Sequence, residues 1–407
     1  MPCRGCSAAV LVILIHAGLT GGEPPGRKRV ALPAGQTTAE SPGKGPCAPS
    51  PWSPTVVSVR DQPFEALGDG ISDDTAAIQR AINYVAGSGG TLFIPDGTYM
   101  INPNAIDGRK GLILGNRMTL RMAKGAVLKA LPSSSEGYAL LEVASVSDVN
   151  IIGGTLLGER DTHRGTRGEW GMGLDINHAT NVVVQDVTAR DCWGDGFYIG
   201  LASRNITFCG VIADRNRRQG LSITGADGVI ISRCTFKNSA GTPMEMGLDI
   251  EPNRGETVCN VLITGSTFAH NAGEGLASGV PGAHSGRAFV YKITIEGNTI
   301  LENGSGSGSH SIHNGIEISN SSGTKILNNV LRGNHGRGIL LRFNADNSYC
   351  KGNKIFGTTG PPGDAIAEDS CMGNTIVDNQ FSGNAGRNVY SAGCRQSTIR
   401  DNLNVKN

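Results

Sequence analysis

The sequence predicts an all-β fold: a right-handed parallel β-helix solenoid closed at its N-terminal end by a helical cap. Three observations carry this. A Gly followed by apolar, any, apolar recurs as GLDI at Gly173, GFYI at Gly196, GLSI at Gly220, GLDI at Gly247, GIEI at Gly315 and GILL at Gly338, with a degenerate GLAS at Gly275; the gaps are 23, 24, 27, 28, 40 and 23 residues. Each gap holds two or three apolar runs of three to five residues, too short for helices and separated by Gly and Asn. One such repeat cannot bury its own apolar face, whereas stacked repeats can.

In chain order, the first element is a leader. Arg4 precedes the apolar run "AAVLVILIHAGL", and small residues follow. The run is short for a bilayer span and has the size of a signal-peptide core, so 1–22 is expected to be removed on export to a secreted or periplasmic location. No membrane partner is expected after that removal. The Pro/Gly/Ser-rich stretch 23–54 has no periodicity and reads as a linker, with 55–407 as the β-helix catalytic domain.

The stretch "FEALGDGISDDTAAIQRAINYVAGSGGTLFIPDGTYMI" (Phe64 to Ile101) breaks the strand pattern. Ala76, Ala77, Ile78, Ala81, Ile82 and Val85 form a helical stripe. Ser72 and Asp73 are candidate N-caps, and Gly87 to Gly90 stop the helix, predicting a cap over about 73–86. This helix would cover the open end of the first coil.

After the cap, the repeats supply the strands. Asn216, Asn238, Asn271 and Asn303 precede successive Gly strands and are expected to stack as a structural ladder. Cys350, Cys371 and Cys394 fall at equivalent places in three repeats, which fits either a disulfide or a stack of buried thiols. Further copies beyond Gly338 lack a clear Gly strand.

The Phe64 to Ile101 block closely resembles the N-terminal signature of the pectate-lyase-like superfamily, "GALGDG-x-SDDT-x-AIQ-x-AI…GGT-x-x-x-P-x-G-x-Y". That resemblance implies the parallel β-helix over roughly 56–407 and a polysaccharide or oligosaccharide as substrate. The superfamily includes polygalacturonases, pectate lyases, alginate epimerases and phage tailspike depolymerases. Their motifs are matched only in part. Met172 stands where polygalacturonases carry the Asp of "NTDG", and Asp195 matches the first Asp of their pair while Gly196 replaces the second. Against the "YGFDPH" of the epimerases, Tyr198 in "DGFYIG" replaces the Asp.

The residue between the two apolar positions of each Gly strand should point outward. That column reads Asp175, Tyr198, Ser222, Asp249, Ala277, Glu317, Leu340, with Asp195, Arg218, Glu251, Asn253 and Arg342 nearby. An outward acid on a solenoid is most often merely solvated. The concentration of acids on one face instead suggests catalytic carboxylates: Asp249, Glu251, Asp195 and Asp175. Tyr198, Arg218, Trp170, Trp193, Asn253, Glu317 and Arg342 are the candidate substrate-binding residues. Asp249 and Glu251, two positions apart on one strand, would place their carboxyls at a separation suited to an inverting glycoside hydrolase. Lyase or C5-epimerase chemistry would use Arg218 or Arg342 against a substrate carboxylate, with Tyr198 or His178 moving the proton. A non-catalytic carbohydrate-binding surface protein is the third reading. His163, His178 and His313 read as isolated turn residues. No cofactor is predicted; calcium on Asp175, Asp195 and Asp249 would lack the compact loop such sites use. Cys spacing supports no zinc site, and a net charge of +1 gives no reason to expect a nucleic-acid partner.

Overall fold

The computed structural model describes residue 47 and residues 55–279, 290–306 and 313–405. The predicted leader, the linker apart from Cys47, and residues 280–289 and 307–312 lie outside the described residues.

The chain winds into three parallel sheets of 14, 13 and 11 strands. Each complete coil contributes one strand to each sheet, while the first and last coils lack a strand in the 11-stranded one. The 11-stranded sheet is built from the Gly strands and runs from Lys110–Ile113 through Trp170–Asn177, Phe197–Gly200, Leu221–Ile223, Leu248–Ile250 and Ile316–Ser319 to Val389–Ala392. Past Gly338 two further strands join it, Ile366–Asp369 and Val389–Ala392, although Gly has been replaced there. The sheets enclose one continuous core of Ile, Val, Leu and Phe, including Phe197, Phe208, Phe236 and Phe268.

The glycine column has a steric cause. A Cβ on Gly220 would come within 2.4 Å of the Gly247 carbonyl oxygen, one on Gly247 within 2.6 Å of that of Gly275, and one on Gly275 within 2.7 Å of that of Gly315. Each glycine therefore admits the backbone of the next coil. Any side chain would push successive coils apart at the sharp entry to the strand.

The cap helix spans Thr75–Val85 and buries Thr75, Ile78, Ala81, Ile82 and Val85. Its N-cap is Asp74, not Ser72 or Asp73. The Asp74 carboxylate instead accepts the backbone N–H groups of Leu67 and Gly68, tying down the preceding loop. Asp73 accepts the Thr75 N–H, and Ser72 is engaged with Asp69. Ala76 lies outside the buried stripe because it faces solvent.

Two asparagine ladders bind the coils. In the first, Asn271 donates through Nδ2 to Asn303 Oδ1 at 2.9 Å, and Asn303 to Asn334 Oδ1 at 3.0 Å. Asn216 holds the same turn position and bonds Cys192 N and Ala189 O. Asn238 is not a member: Ser239 takes the rung, and Asn238 adopts a positive φ and reaches Asp214. The second ladder, Asn298–Asn329–Asn353–Asn379–Asn402, runs along a different turn of the coil.

The cysteine stack is shorter than predicted. Cys350 pairs in register with Ile376, so it does not lie over Cys371. Cys371 and Cys394 do adjoin, with the Cys371 N–H 3.3 Å from the Cys394 sulfur. Cys47 is disulfide-bonded to Cys209, fixing that residue of the predicted linker to the 14-stranded sheet.

Candidate functional site

Strand register brings the predicted column together. Glu142, Asp175, Tyr198, Ser222, Asp249, Ala277, Glu317 and Leu340 are direct neighbours in consecutive strands. Alternation puts Leu248 and Ile250 in the core and Asp249 on the opposite face, as expected. The face is not open surface, however. Asp249 is only 4% exposed, Glu317 6% and Glu142 7%.

The loop 158–170 helps to cover it. Glu159 accepts from Tyr138 Oη at 2.8 Å and meets His163 Nδ1 at 2.7 Å. His163 stacks on Trp193 with ring centroids 3.7 Å apart, and the Arg217 guanidinium lies 3.7 Å from the Trp193 ring on which it packs. Arg217 also donates to the Gly168 carbonyl. Trp193 is therefore a buried packing residue with no ring face left for a sugar, contrary to its predicted role, and His163 is not isolated. Trp170 is 52% exposed and keeps a face available.

The centre of the site is a chain of polar contacts around Asp249. Gln219 donates through Nε2 to Asp249 Oδ2 at 2.8 Å. Ser222 Oγ meets both Gln219 Oε1 and Asp195 Oδ2. Asp195 is fully buried and also accepts from Gln219 N and Arg218 Nη1, each at 3.1 Å. Arg218 turns its Nε to Glu169, 3.3 Å away. Glu251 continues the strand ladder, its N–H bonded to Ile223 O, and its carboxyl is in hydrogen-bond contact with that of Asp249. Pro252 has thus not turned Glu251 aside.

Burial drives the electrostatics. It raises the pKa of Asp249, with the neighbouring Glu251 charge adding to it and the Gln219 bond opposing it. Glu251 is raised by burial against the attraction of Arg218. Asp195 is raised by burial, opposed by Arg218 and Ser222. Burial and mutual repulsion thus both disfavour two bare carboxylates in this pair, with Arg218 opposing. The side chain of Glu251 is the more exposed of the pair and faces outward; Asp195 has no accessible surface and positions its neighbours rather than meeting a substrate.

Other candidates fall on either side. Asp175 accepts from Asn177 Nδ2 at 2.6 Å, and burial with the adjacent Glu142 pushes its pKa up to about 7. Glu142 itself pairs with Lys110 at 3.2 Å. Tyr198 shares a 2.8 Å hydrogen bond with Thr224, and Asn253 touches Tyr198 and donates to Glu256. Beyond Ala277, Glu317 pairs with Arg342 at 2.5 Å and accepts from Asn314. His313 lies buried with Nδ1 3.7 Å from Glu274 Oε2, and that contact raises its pKa. His178 is exposed. Asp175, Asp195 and Asp249 do not converge: among the described residues no group of three His, Cys, Asp or Glu side chains is spaced to hold a metal ion.

Gln219, Glu142, Glu169 and Glu274 were missed from sequence. A signal existed for two of them. From Gly196 onward the position just before each glycine reads Asp195, Gln219, Met246, Glu274, Asn314, Arg337, a mostly polar second column beside the first.

The comparisons agree with this architecture. Residues 56–142 match the family model "Rhamnogalacturonase A/epimerase, pectate lyase-like". Among curated proteins, uncharacterized protein YclG of Bacillus subtilis is 31% identical over 267 residues, covering 58% of this chain and 44% of YclG. The chain thus spans less than half the length of that relative. Among solved structures, the A-module of the Azotobacter vinelandii mannuronan C-5 epimerase AlgE4 superposes with a TM-score of 0.59 at 21% identity, covering 86% of this chain and 99% of the module. The family 28 exopolygalacturonase of Yersinia enterocolitica gives 0.57 at 15% identity, covering 87% and 79%. At these identities the likeness is one of fold. The model of the right-handed β-helix region matches 133–254, 173–355 and 256–407, together most of the chain, and the protein therefore belongs to the right-handed β-helix family with a pectate-lyase-like N-terminal segment.

Proposed function

We propose that this protein is an exported enzyme acting on a polysaccharide, and that the reaction is glycoside hydrolysis at Asp249 and Glu251. The observation that carries the reading is the contact of the half-buried Glu251 carboxyl with the buried Asp249 carboxyl on the concentrated acid face. Hydrolysis of a glycosidic bond needs a proton for the leaving oxygen and a carboxylate that attacks the sugar or activates water. A pair with one proton supplies both forms at neutral pH: a neutral acid on Asp249 and a carboxylate on the more exposed Glu251. Gln219 orients Asp249, Arg218 balances the remaining charge, and Trp170 offers an exposed ring for sugar stacking. The Cys47–Cys209 disulfide supports export, since such bonds persist in oxidising compartments.

C5-epimerase or lyase chemistry is the second reading. The likeness to the AlgE4 module favours it, as does the placement of Tyr198, a phenol beside Asp175 and one coil from Arg218. The test is incubation with neutral and acidic polysaccharides, recording new reducing ends, ultraviolet absorbance of unsaturated products and exchange of the C5 proton with solvent. Reducing ends alone are expected. Unsaturated products or C5 exchange without net cleavage would replace hydrolysis by the second reading, and silence on all three would leave a carbohydrate-binding protein.

A further inference from the structure

The hydrogen count around Asp249 does not close unless the carboxyls themselves contribute protons. Four contacts run in series: Asp195 Oδ2 to Ser222 Oγ at 2.7 Å, Ser222 Oγ to Gln219 Oε1, Gln219 Nε2 to Asp249 Oδ2 at 2.8 Å, and Asp249 to Glu251. Each contact needs one hydrogen. The Ser222 hydroxyl has one to give. The Gln219 amide donates across one of its two contacts and accepts across the other, whichever way round it lies. Two of the four hydrogens are thus supplied, and the other two must come from Asp195, Asp249 and Glu251.

The alternative is a lone pair facing a lone pair in a buried site, where an unmade bond is most costly. Ser222 and Gln219 are 4% and 0% exposed, so water does not reach these contacts from bulk. The charges facing the chain are Arg218, which contacts Asp195 and Glu169, together with Asp175 and the Cys192 thiol beside Asp195. One guanidinium cannot neutralise three desolvated carboxylates as well as Glu169.

We propose that Asp195, Ser222, Gln219, Asp249 and Glu251 form one proton-holding unit, with two protons shared among its three carboxyls at neutral pH, and that Ser222 and Gln219 are positioning residues through which Asp195 sets the protonation of Asp249. The mechanism is the Gln219 amide. When Ser222 donates to Gln219 Oε1, the amide is fixed with Nε2 toward Asp249, which favours the carboxylate. When Ser222 donates to Asp195, the amide is favoured the other way round, with Oε1 toward Asp249, and Asp249 must then carry the proton. Movement of one hydroxyl hydrogen at Ser222 is thereby passed to Asp249, which it does not touch. The proposal deepens the hydrolase reading and shares its choice of Asp249 and Glu251, but the protonation state exists whether or not any glycan is cleaved.

The test is accordingly made on the protein without substrate. Side-chain carboxyl carbons are followed by 13C NMR from pH 4 to 9 in wild type, Ser222→Ala, Ser222→Thr and Asp195→Asn, with Asp249→Asn used to assign the Asp249 signal. In wild type, Asp249 is expected to titrate above the ordinary aspartate range. Ser222→Ala removes the hydroxyl that holds the amide with Nε2 toward Asp249 and should raise the Asp249 midpoint by about one pH unit, whereas Asp195→Asn removes a like charge and leaves Ser222 free to hold the amide, and should lower it by about as much. Ser222→Thr keeps the hydroxyl and should restore the wild-type midpoint. An Asp249 midpoint unchanged in Ser222→Ala and Asp195→Asn, with circular dichroism showing both folded, overturns the proposal. So does a wild-type Asp249 that titrates in the ordinary range. Failure of the glycan assay with these shifts present would instead sink the hydrolase reading alone.

Discussion

The asparagine ladders and the acid column are built from the same repeat, and both bury polar side chains, yet they end differently. Asn271 and Asn303 are flush with the core and every amide finds a partner: Oδ1 of Asn303 accepts from Asn271 N and Nδ2, and its Nδ2 donates to Phe268 O and Asn334 Oδ1. Along the acid column the sums do not close. Glu142 Oε2, Asn177 Oδ1, Arg218 Nε, both nitrogens of His313 and Arg342 Nε are buried without a hydrogen-bond partner among the described residues, although Glu142, Arg218 and His313 have charged neighbours within 4 Å. Asp249 and Glu251 are both held above their ordinary pKa. Ser239 Oγ, on the ladder, is also without a partner, so it is the concentration of such atoms along the acid column, not any one of them, that sets the column apart.

The largest effect that separates the two regions should come from Asp249→Asn. Turnover on whichever polysaccharide is cleaved is expected to fall by about 10²- to 10⁴-fold. Stability should move the other way. The folded pKa of Asp249 is raised, so its ionisation opposes folding above the unfolded pKa; the Asn variant should match wild type in acid and melt higher than wild type at pH 8. Loss of stability with normal turnover would place Asp249 with the ladders.

Asn303→Ala is the converse change. It strips two donors and one shared acceptor from a closed ladder and is expected to cost about 3 kcal/mol by urea unfolding, with turnover per folded molecule unaltered. A smaller melting shift is expected from Asp175→Asn. With a folded pKa of about 7 against an ordinary 3.8, Asp175 weakens folding progressively as pH rises through that interval, so the variant's advantage should be absent below pH 4 and complete above pH 7. A pH-independent difference would show that Asp175 is not buried as described. Asn205→Gly, on the exposed Asn181–Asn205 contact of the flank, should change stability by less than about 0.5 kcal/mol, because water replaces the lost bond and glycine keeps the positive φ of that position.

Much of the coil was legible. The spacing of the Gly motifs and the alternation within GLDI and GIEI determine which side chains face the core, because a strand's period of two leaves one choice of face once Leu248 and Ile250 are buried. The column from Asp175 to Leu340 follows directly. The second asparagine ladder was hidden because its members sit at turns whose distance from the Gly motif varies with loop length. Cys350 was misplaced for the same reason: the 21-residue spacing to Cys371 is shorter than the coil that aligns it with Ile376.

The sequence by itself therefore determined the stacking fold, the cap and the face that carries the acids, since these depend on periodicity and on local sterics such as the missing Cβ of Gly220 and Gly247. Only the tertiary structure decided what those acids are. It closed the loop 158–170 over the face, removed Trp193 into a stack with His163 and Arg217, and set Gln219 and Ser222 between Asp195 and Asp249. Burial and hydrogen-bond partners arise between residues 23 to 54 positions apart, and charge state depends on both, so no local pattern encodes it.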